Sequence, residues 1–317
     1  MDSRVSFRVR LPLLIPRMSA TLTNVSNVRA AQSAVLIGTL GFAAMDACSK
    51  QLVTLISPGA LLLWRSVLIV AVLLIPLLVW RGQALWRTTA PFTVGARALT
   101  MAATSLFIIL ALERLPFADV LAIYFVSPFV TALLAAAWLK DPLPLRTVLG
   151  CLAALVGVVL IMRPGGATAV SGAWGYALPL LAAATSSLQD VFARKARGHA
   201  APETLLIYSV LMSLGMGVAL LALGVPAKHF TAWWPPLAAW VWLGLAALSG
   251  GISFYCMIRA MQWAPPSATA PLRYLNLVWA GLLGALFWHE IPGLAALVGM
   301  GLILGAGIAT AWAGRSS

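Results

Sequence analysis

The chain is a succession of apolar runs, each about as long as a bilayer crossing, separated by short polar breaks. A crossing helix needs roughly 20 apolar residues, and ten such runs fit within 317 residues. They lie near 32–54, 59–80, 91–112, 117–138, 144–162, 173–195, 203–224, 236–260, 265–288 and 292–312. Connections this short make successive helices antiparallel neighbours. Charged residues are 9% of the chain, against about a quarter in a soluble domain, so a water-facing globular surface could not be covered. The short alternating segments of a lipid-facing β-barrel do not occur. The expected class is an all-α integral membrane protein, with the lipid bilayer as its main partner.

The formal charge of +13 would attract phosphate if gathered on one face. The cations instead alternate with the apolar runs, so nucleic acid is not an expected partner. Their distribution sets orientation, because cytoplasmic loops carry the excess of Lys and Arg. With the N-terminus inside, fourteen cations fall to the inner side and three to the outer. The other four, Lys50, Arg65, Arg97 and Arg273, lie within spans. Both termini are expected in the cytoplasm of a bacterial-type cell, with the chain in its inner membrane. Residues 1–31 read as a basic cytoplasmic tail, with Met18 an alternative start. The Leu11–Ile15 stretch is too short for a signal-peptide core. Cys48, Cys151 and Cys256 all lie in apolar runs, which implies neither a disulfide framework nor a metal cluster.

An internal repeat organises the spans. The stretch Ala111-Leu112, Pro116, Tyr124 and Trp138-Leu139-Lys140-Asp141 falls on Ala260-Met261, Pro265, Arg273 and Phe287-Trp288-His289-Glu290 at one offset. The segment Asp46 to Lys50 falls in the same way on Asp190 to Arg194. Two five-helix units result, 32–163 and 172–312, parted by Pro164-Gly165-Gly166. An odd number of helices per unit places the units oppositely in the membrane. The expected fold is thus ten transmembrane helices as two inverted five-helix repeats, the arrangement of many secondary transporters. A duplicated bundle without transport is the alternative.

Ionisable groups within spans are costly and need a reason. Asp46 and Lys50 are four residues apart and share a helix face, as do Asp190 and Arg194. These pairs are candidates for two gates or for proton coupling; local neutralisation with snorkelling cations is the plainer reading. Arg273 falls about ten residues into the ninth span, so about 15 Å deep, and Pro271 precedes it. Its planar fork suits a substrate carboxylate, and the alternative is a structural pairing with Asp46 or Asp190. Tyr274 and Asn276 stand beside it, and its repeat partner Tyr124 is followed by Ser127 and Pro128. Arg65 and Arg97 lie only about six residues inside their spans, shallow enough to snorkel, with Arg65 also a candidate substrate contact. Trp64 and Tyr208 are candidate cavity walls. Gly301 and Gly305 permit close helix approach, within the monomer or in a homodimer.

Met45-Asp46-Ala-Cys-Ser-Lys50, Trp64-Arg65 and Ser267-Ala-Thr-Ala-Pro271-Leu-Arg273-Tyr274 resemble the drug/metabolite transporter superfamily, in its branch of ten-helix proteins with two EamA-type domains. The likeness covers roughly residues 32–312 and is nearest to the S-adenosylmethionine uptake group. Riboflavin importers and exporters of amino acids or opine-type metallophores look similar in the same places. Where that branch tends to carry an acidic residue after Arg-Tyr-Leu, this chain has Asn276.

The resemblance implies a secondary transporter of a small polar metabolite. Export of an amino-acid-like compound is the first expectation, and import of S-adenosylmethionine or riboflavin the second. An enzyme would need a nucleophile–base set or metal ligands. His199, His229 and His289 fall in loops or at span ends without ligand spacing. No GxxxxGK loop occurs, and no cofactor is called for. A channel is the remaining different class, and it would not need two matched halves.

Overall fold

The computed structural model describes residues 25–76, 82, 86–139, 145–162, 172–196, 199–224, 234–263 and 272–313. The tail before residue 25, Met18, the Pro164-Gly165-Gly166 break, Lys140, Asp141, His229 and the Ser267–Pro271 stretch lie outside the described residues. In hydrocarbon every backbone polar group must be satisfied within the segment, which leaves the helix as the form for such apolar runs. The described residues are accordingly almost wholly helical.

In chain order they form α1 (Val25–Leu52), α2 (Pro58–Ile69), α3 (Pro91–Leu112), α4 (Phe117–Tyr124), α5 (Ser127–Leu139) and α6 (Leu145–Met162). Then come α7 (Gly172–Lys195), α8 (Pro202–Ala222), α9 (Leu237–Trp263), α10 (Leu275–Trp288) and α11 (Leu294–Ala313). Five stretches are long and apolar enough to cross a membrane: Arg29–Leu52, Pro91–Leu112, Phe117–Trp138, Glu203–Ala222 and Leu237–Met257. Shorter apolar helices cover Pro58–Val72, Val148–Ile161, Leu275–Trp288 and Leu294–Ala309. The chain is an all-α membrane protein.

Local chemistry explains where helices start and bend. Pro58, Pro91 and Pro202 each occupy the first turn of their helix, where the missing N–H would have had no partner. Ser57 also caps α2, its Oγ accepting from the Ala60 N–H at 3.2 Å. α2 runs on through a π-turn, Val70–Leu74, just ahead of Pro76.

One continuous helix was expected over 117–138, but α4 and α5 are separated at Phe125–Val126. Pro128 has no N–H for the Tyr124 carbonyl and its ring crowds that oxygen, so the regular ladder cannot pass. The break is closed by tighter bonds, with the Val126 N–H donating to Ile123 O at 3.1 Å. In the second half, Leu272 and Arg273 are helical and Tyr274 forms a turn before α10 begins. Phe125 and Tyr274 are repeat equivalents, and their rings lie against each other with centroids 5.7 Å apart.

The helices pair as α1 with α9, α3 with α7, α6 with α11 and α2 with α8. α10 rests on α1 and on α4, and α7 touches α4 and α5. α4 is enclosed on every side, and Phe117, Leu121 and Ile123 are fully buried in the main core with Ile161 and Ile303. Where α6 crosses α11 the backbones touch. A Cβ on Gly299 would stand 2.5 Å from the Gly157 carbonyl oxygen, and one on Gly157 would stand 2.7 Å from that of Gly299. Backbone atoms cannot step aside as a side chain can. Gly299→Val is therefore expected to cost about 1–3 kcal/mol from overpacking and to lower the melting temperature in detergent. Gly301→Val, with nothing within 4 Å, serves as the control. Equal melting temperatures for the two variants would contradict this account of the α6–α11 contact.

Candidate functional site

The interior charges lie on α1, α2, α3 and α7 and at the turn before α10, and each is placed by its helix register. Asp46, on α1, is half-buried and lies within electrostatic reach of Arg65 on α2. Arg65 is 6% exposed, so this guanidinium does not snorkel to an interface. Its Nη1 lies 3.4 Å from Ser49 Oγ, as a long donor contact across to α1.

Asp190 sits on α7. Arg273, at the turn before α10, Arg97 on α3 and Arg194 on its own helix all act on its carboxylate, with Arg273 the largest. Asp190 and Arg273 keep exposed surface although charges from three elements converge there. Arg97 is fixed by Nη1, which donates to Ser209 Oγ at 2.8 Å and to Leu205 O at 3.1 Å.

Tyr124 joins the two groups. Its hydroxyl lies 2.9 Å from Ser186 Oγ on α7, and the charges of Asp190, Asp46 and Arg273 all reach it. Ser127 is buried, and its carbonyl accepts from Ser187 Oγ at 2.8 Å. α7 thus lines the interior with Thr185, Ser186, Ser187 and Asp190. Asn276 is buried on α10, and its Oδ1 has no hydrogen-bond partner among the described residues. Tyr274 is buried between Phe125 and Gly307.

Among the described residues, neither Asp46 with Arg65 nor Asp190 with Arg273 closes to a contact ion pair within 4.0 Å. Opposite charges in a low-dielectric interior attract strongly.

Lys50 departs from its expected partner. It lies four residues after Asp46, yet its Nζ pairs with Glu290 Oε1, beyond the end of α10. The same ammonium lies over the Trp288 ring, 5.0 Å from its centroid. Glu290 Oε2 accepts from the Phe117 N–H at 2.7 Å, at the first turn of α4, where a helix offers unsatisfied donors and a positive dipole end. His289 makes this possible: it takes a left-handed conformation, φ 53°, after α10. The chain then turns so that the Glu290 N–H reaches Gly284 O at 3.1 Å. Glu290 was visible in the sequence only as the repeat image of Asp141.

Other residues fall outside this centre. Trp64 packs in an aromatic group with Trp234 and Trp240, each centroid 5.0 Å from its own. Tyr208 points to the segment before α3, its hydroxyl donating to Trp86 O at 3.4 Å.

A helical membrane bundle with interior charges of both signs held around a broken helix is the architecture of a membrane transporter. The chain belongs to the EamA-like transporter family, whose model matches residues 30–163 and again residues 173–311. It is similar to the S-adenosylmethionine uptake transporter of Rickettsia bellii, at 23% identity over 85% of this chain and 89% of that one. It is also similar to the pseudopaline exporter CntI of Pseudomonas aeruginosa, at 25% identity over 88% of this chain and 95% of the other. A solved crystal structure shares the fold with TM-score 0.60 and 20% identity, over 92% of this chain and 99% of that one. The protein is a multi-pass transporter of the bacterial inner membrane.

Proposed function

We propose that the protein is an alternating-access secondary carrier that exports a zwitterionic, amino-acid-like metabolite. In this reading ten spans form two inverted five-helix repeats, with both termini in the cytoplasm. The repeat is supported by packing that is unchanged when the halves are exchanged. α1 against α9 is the image of α7 against α3, and α1 against α10 is the image of α7 against the α4–α5 pair. Cations at the ends of α1 and α7 lie over tryptophans of the partner helices, Lys50 over Trp288 and Lys195 over Trp138. The charge distribution supports the orientation.

The observation that carries the cargo is the standing separation of Asp190 from Arg273. A substrate carboxylate satisfies the Arg273 fork and a substrate ammonium satisfies Asp190. Tyr124 and Asn276 supply neutral hydrogen-bonding groups beside them. Lys50 and Glu290 close the outer end in this scheme, while Asp46 and Asp190 are the carboxylates available for proton coupling. Arg194 stands at the inner end as the repeat image of Lys50.

The test is counterflow with purified protein in liposomes, using a panel of amino acids, S-adenosylmethionine and riboflavin. Saturable exchange of amino-acid zwitterions is expected, with little for riboflavin, which has no ammonium–carboxylate pair. Exchange confined to riboflavin, or conductance that does not saturate, would contradict the proposal. S-adenosylmethionine, named for the Rickettsia relative, is the second reading, and its preference over simple amino acids would establish it.

A further inference from the structure

Residues 86–90 lead into α3 and residues 199–201 lead into α8. The two segments belong to different halves of the chain, yet they lie side by side. Thr88 and Ala200 form an isolated antiparallel bridge, and the Thr89 N–H donates to His199 O at 3.0 Å. The Thr89 hydroxyl lies 2.8 Å from His199 Nδ1, and the Tyr208 hydroxyl reaches across to Trp86 O.

A cavity of about 620 Å³ opens on this junction, lined by Trp86, Arg87, Thr88, Thr89 and His199 with residues 200–201. Arg87, Thr89 and His199 are exposed, so a ligand from outside the bundle reaches them directly. Arg87 makes no hydrogen bond or ion pair among the described residues. Thr88 Oγ1 accepts from the Ala90 N–H at 3.1 Å, which leaves its own proton to donate. With Nδ1 of His199 turned to Thr89, Nε2 is the ring nitrogen left for a ligand. No carboxylate lines the cavity. Glu203, in the first turn of α8, is half-buried and outside the lining.

Depth selects the ligand. α3 and α8 are both long and apolar enough to cross the membrane, and each begins within two residues of the cavity wall. Their first turns mark where hydrocarbon begins, so the cavity sits at headgroup level. Trp86, 42% exposed, stands at its rim with the Tyr208 ring beside it, centroids 6.3 Å apart; such aromatic side chains favour that layer. Phospholipid phosphates occupy the same layer, and the planar fork of Arg suits phosphate oxygens. A zwitterionic headgroup would bring a cation that no acid in the wall receives.

We infer that this cavity is a phosphate site that takes the headgroup of an anionic phospholipid. Arg87 and His199 hold the phosphate oxygens, with the Thr88 and Thr89 hydroxyls beside them. Because the walls come from different halves, an occupied site fastens the start of α3 to the start of α8. Nothing in this depends on the nature of the cargo.

The test uses full-length protein in detergent, titrated with phosphatidylglycerol, phosphatidylcholine or inorganic phosphate. Bound lipid is counted by native mass spectrometry and the melting temperature is followed alongside. Wild type is expected to retain phosphatidylglycerol in preference to phosphatidylcholine and to melt higher with it. Arg87→Gln should weaken that retention about tenfold or more, since charge-assisted hydrogen bonds to phosphate are lost. The variant removes no hydrogen bond within the described residues, so its melting temperature without lipid should match wild type. Arg114→Gln, at an exposed arginine beyond the other end of α3, is the control and should retain lipid as wild type does. Equal retention by wild type and Arg87→Gln, or an equal loss in Arg114→Gln, would overturn the site. Inorganic phosphate that raises the melting temperature of wild type but not of Arg87→Gln, with no preference between the lipids, would overturn the lipid as its ligand.

Discussion

Reversing one charge, Glu290→Lys, is expected to reduce counterflow below about a tenth of wild type, because losing one partner of a desolvated pair costs about 3–5 kcal/mol and a third of that is tenfold in an equilibrium. The Lys50 side chain is 10% exposed and that of Glu290 25% exposed, so water screens the pair only partly. The single variant faces Lys50 with a like charge and removes the acceptor of the Phe117 N–H. The exchanged pair, Lys50→Glu with Glu290→Lys, restores attraction across the same gap but not the cap on α4. Recovery to a substantial fraction of wild type is therefore expected, short of full activity. A milder change, Glu290→Gln, keeps an acceptor for Phe117 and loses the ion pair. It should favour the outward-open state of the proposed cycle, read as faster labelling of a cysteine introduced beside Asp190 by a reagent confined outside. Unchanged labelling in Glu290→Gln, with full counterflow in Glu290→Lys, would remove this pair from the transport cycle.

The second large effect is at Arg273. Arg273→Ala should abolish counterflow, and Arg273→Lys should weaken apparent substrate affinity about tenfold or more, since lysine keeps the charge and loses the two-point fork. A structural role as counter-charge to Asp190 gives a different pattern. In that case Arg273→Ala combined with Asp190→Ala removes the imbalance and transport returns, because neither charge is left alone. For a binding role the double variant stays inactive while remaining folded and monodisperse. Recovery of transport in the double variant would establish the structural role.

Much of the fold was legible, because apolar length and loop shortness are local properties. α3 begins and ends at Pro91 and Leu112 as read, and α6 and α7 shift by one residue at their starts. The α4–α5 break was missed even though Pro128 was in view, since proline in an apolar run does not say whether a helix kinks or continues. The individual interior charges were legible too, and Asp190 was in view for Arg273; the partner of Lys50 was not. Asp46 and Lys50 face the same way on one helix, and sequence spacing makes them a pair. The chain instead brings Glu290 to Lys50 from 240 residues away, and a left-handed His289 decides that approach. Arg97 was legible as a charge near a span end, but its anchor on Ser209 belongs to helix packing.

The facing rings of Phe125 and Tyr274, tilted by 42°, have a practical consequence for testing the proposed carrier cycle. Each is the repeat image of the other, so in the alternating-access cycle proposed above this contact is expected to be the axle of the motion. A spectroscopic reporter across 125 and 274 should record nearly the same distance throughout the cycle. A reporter pair across 50 and 290 should split into two distances. The silent pair then measures whether the rocking is truly about one axis, and the other counts how often it occurs.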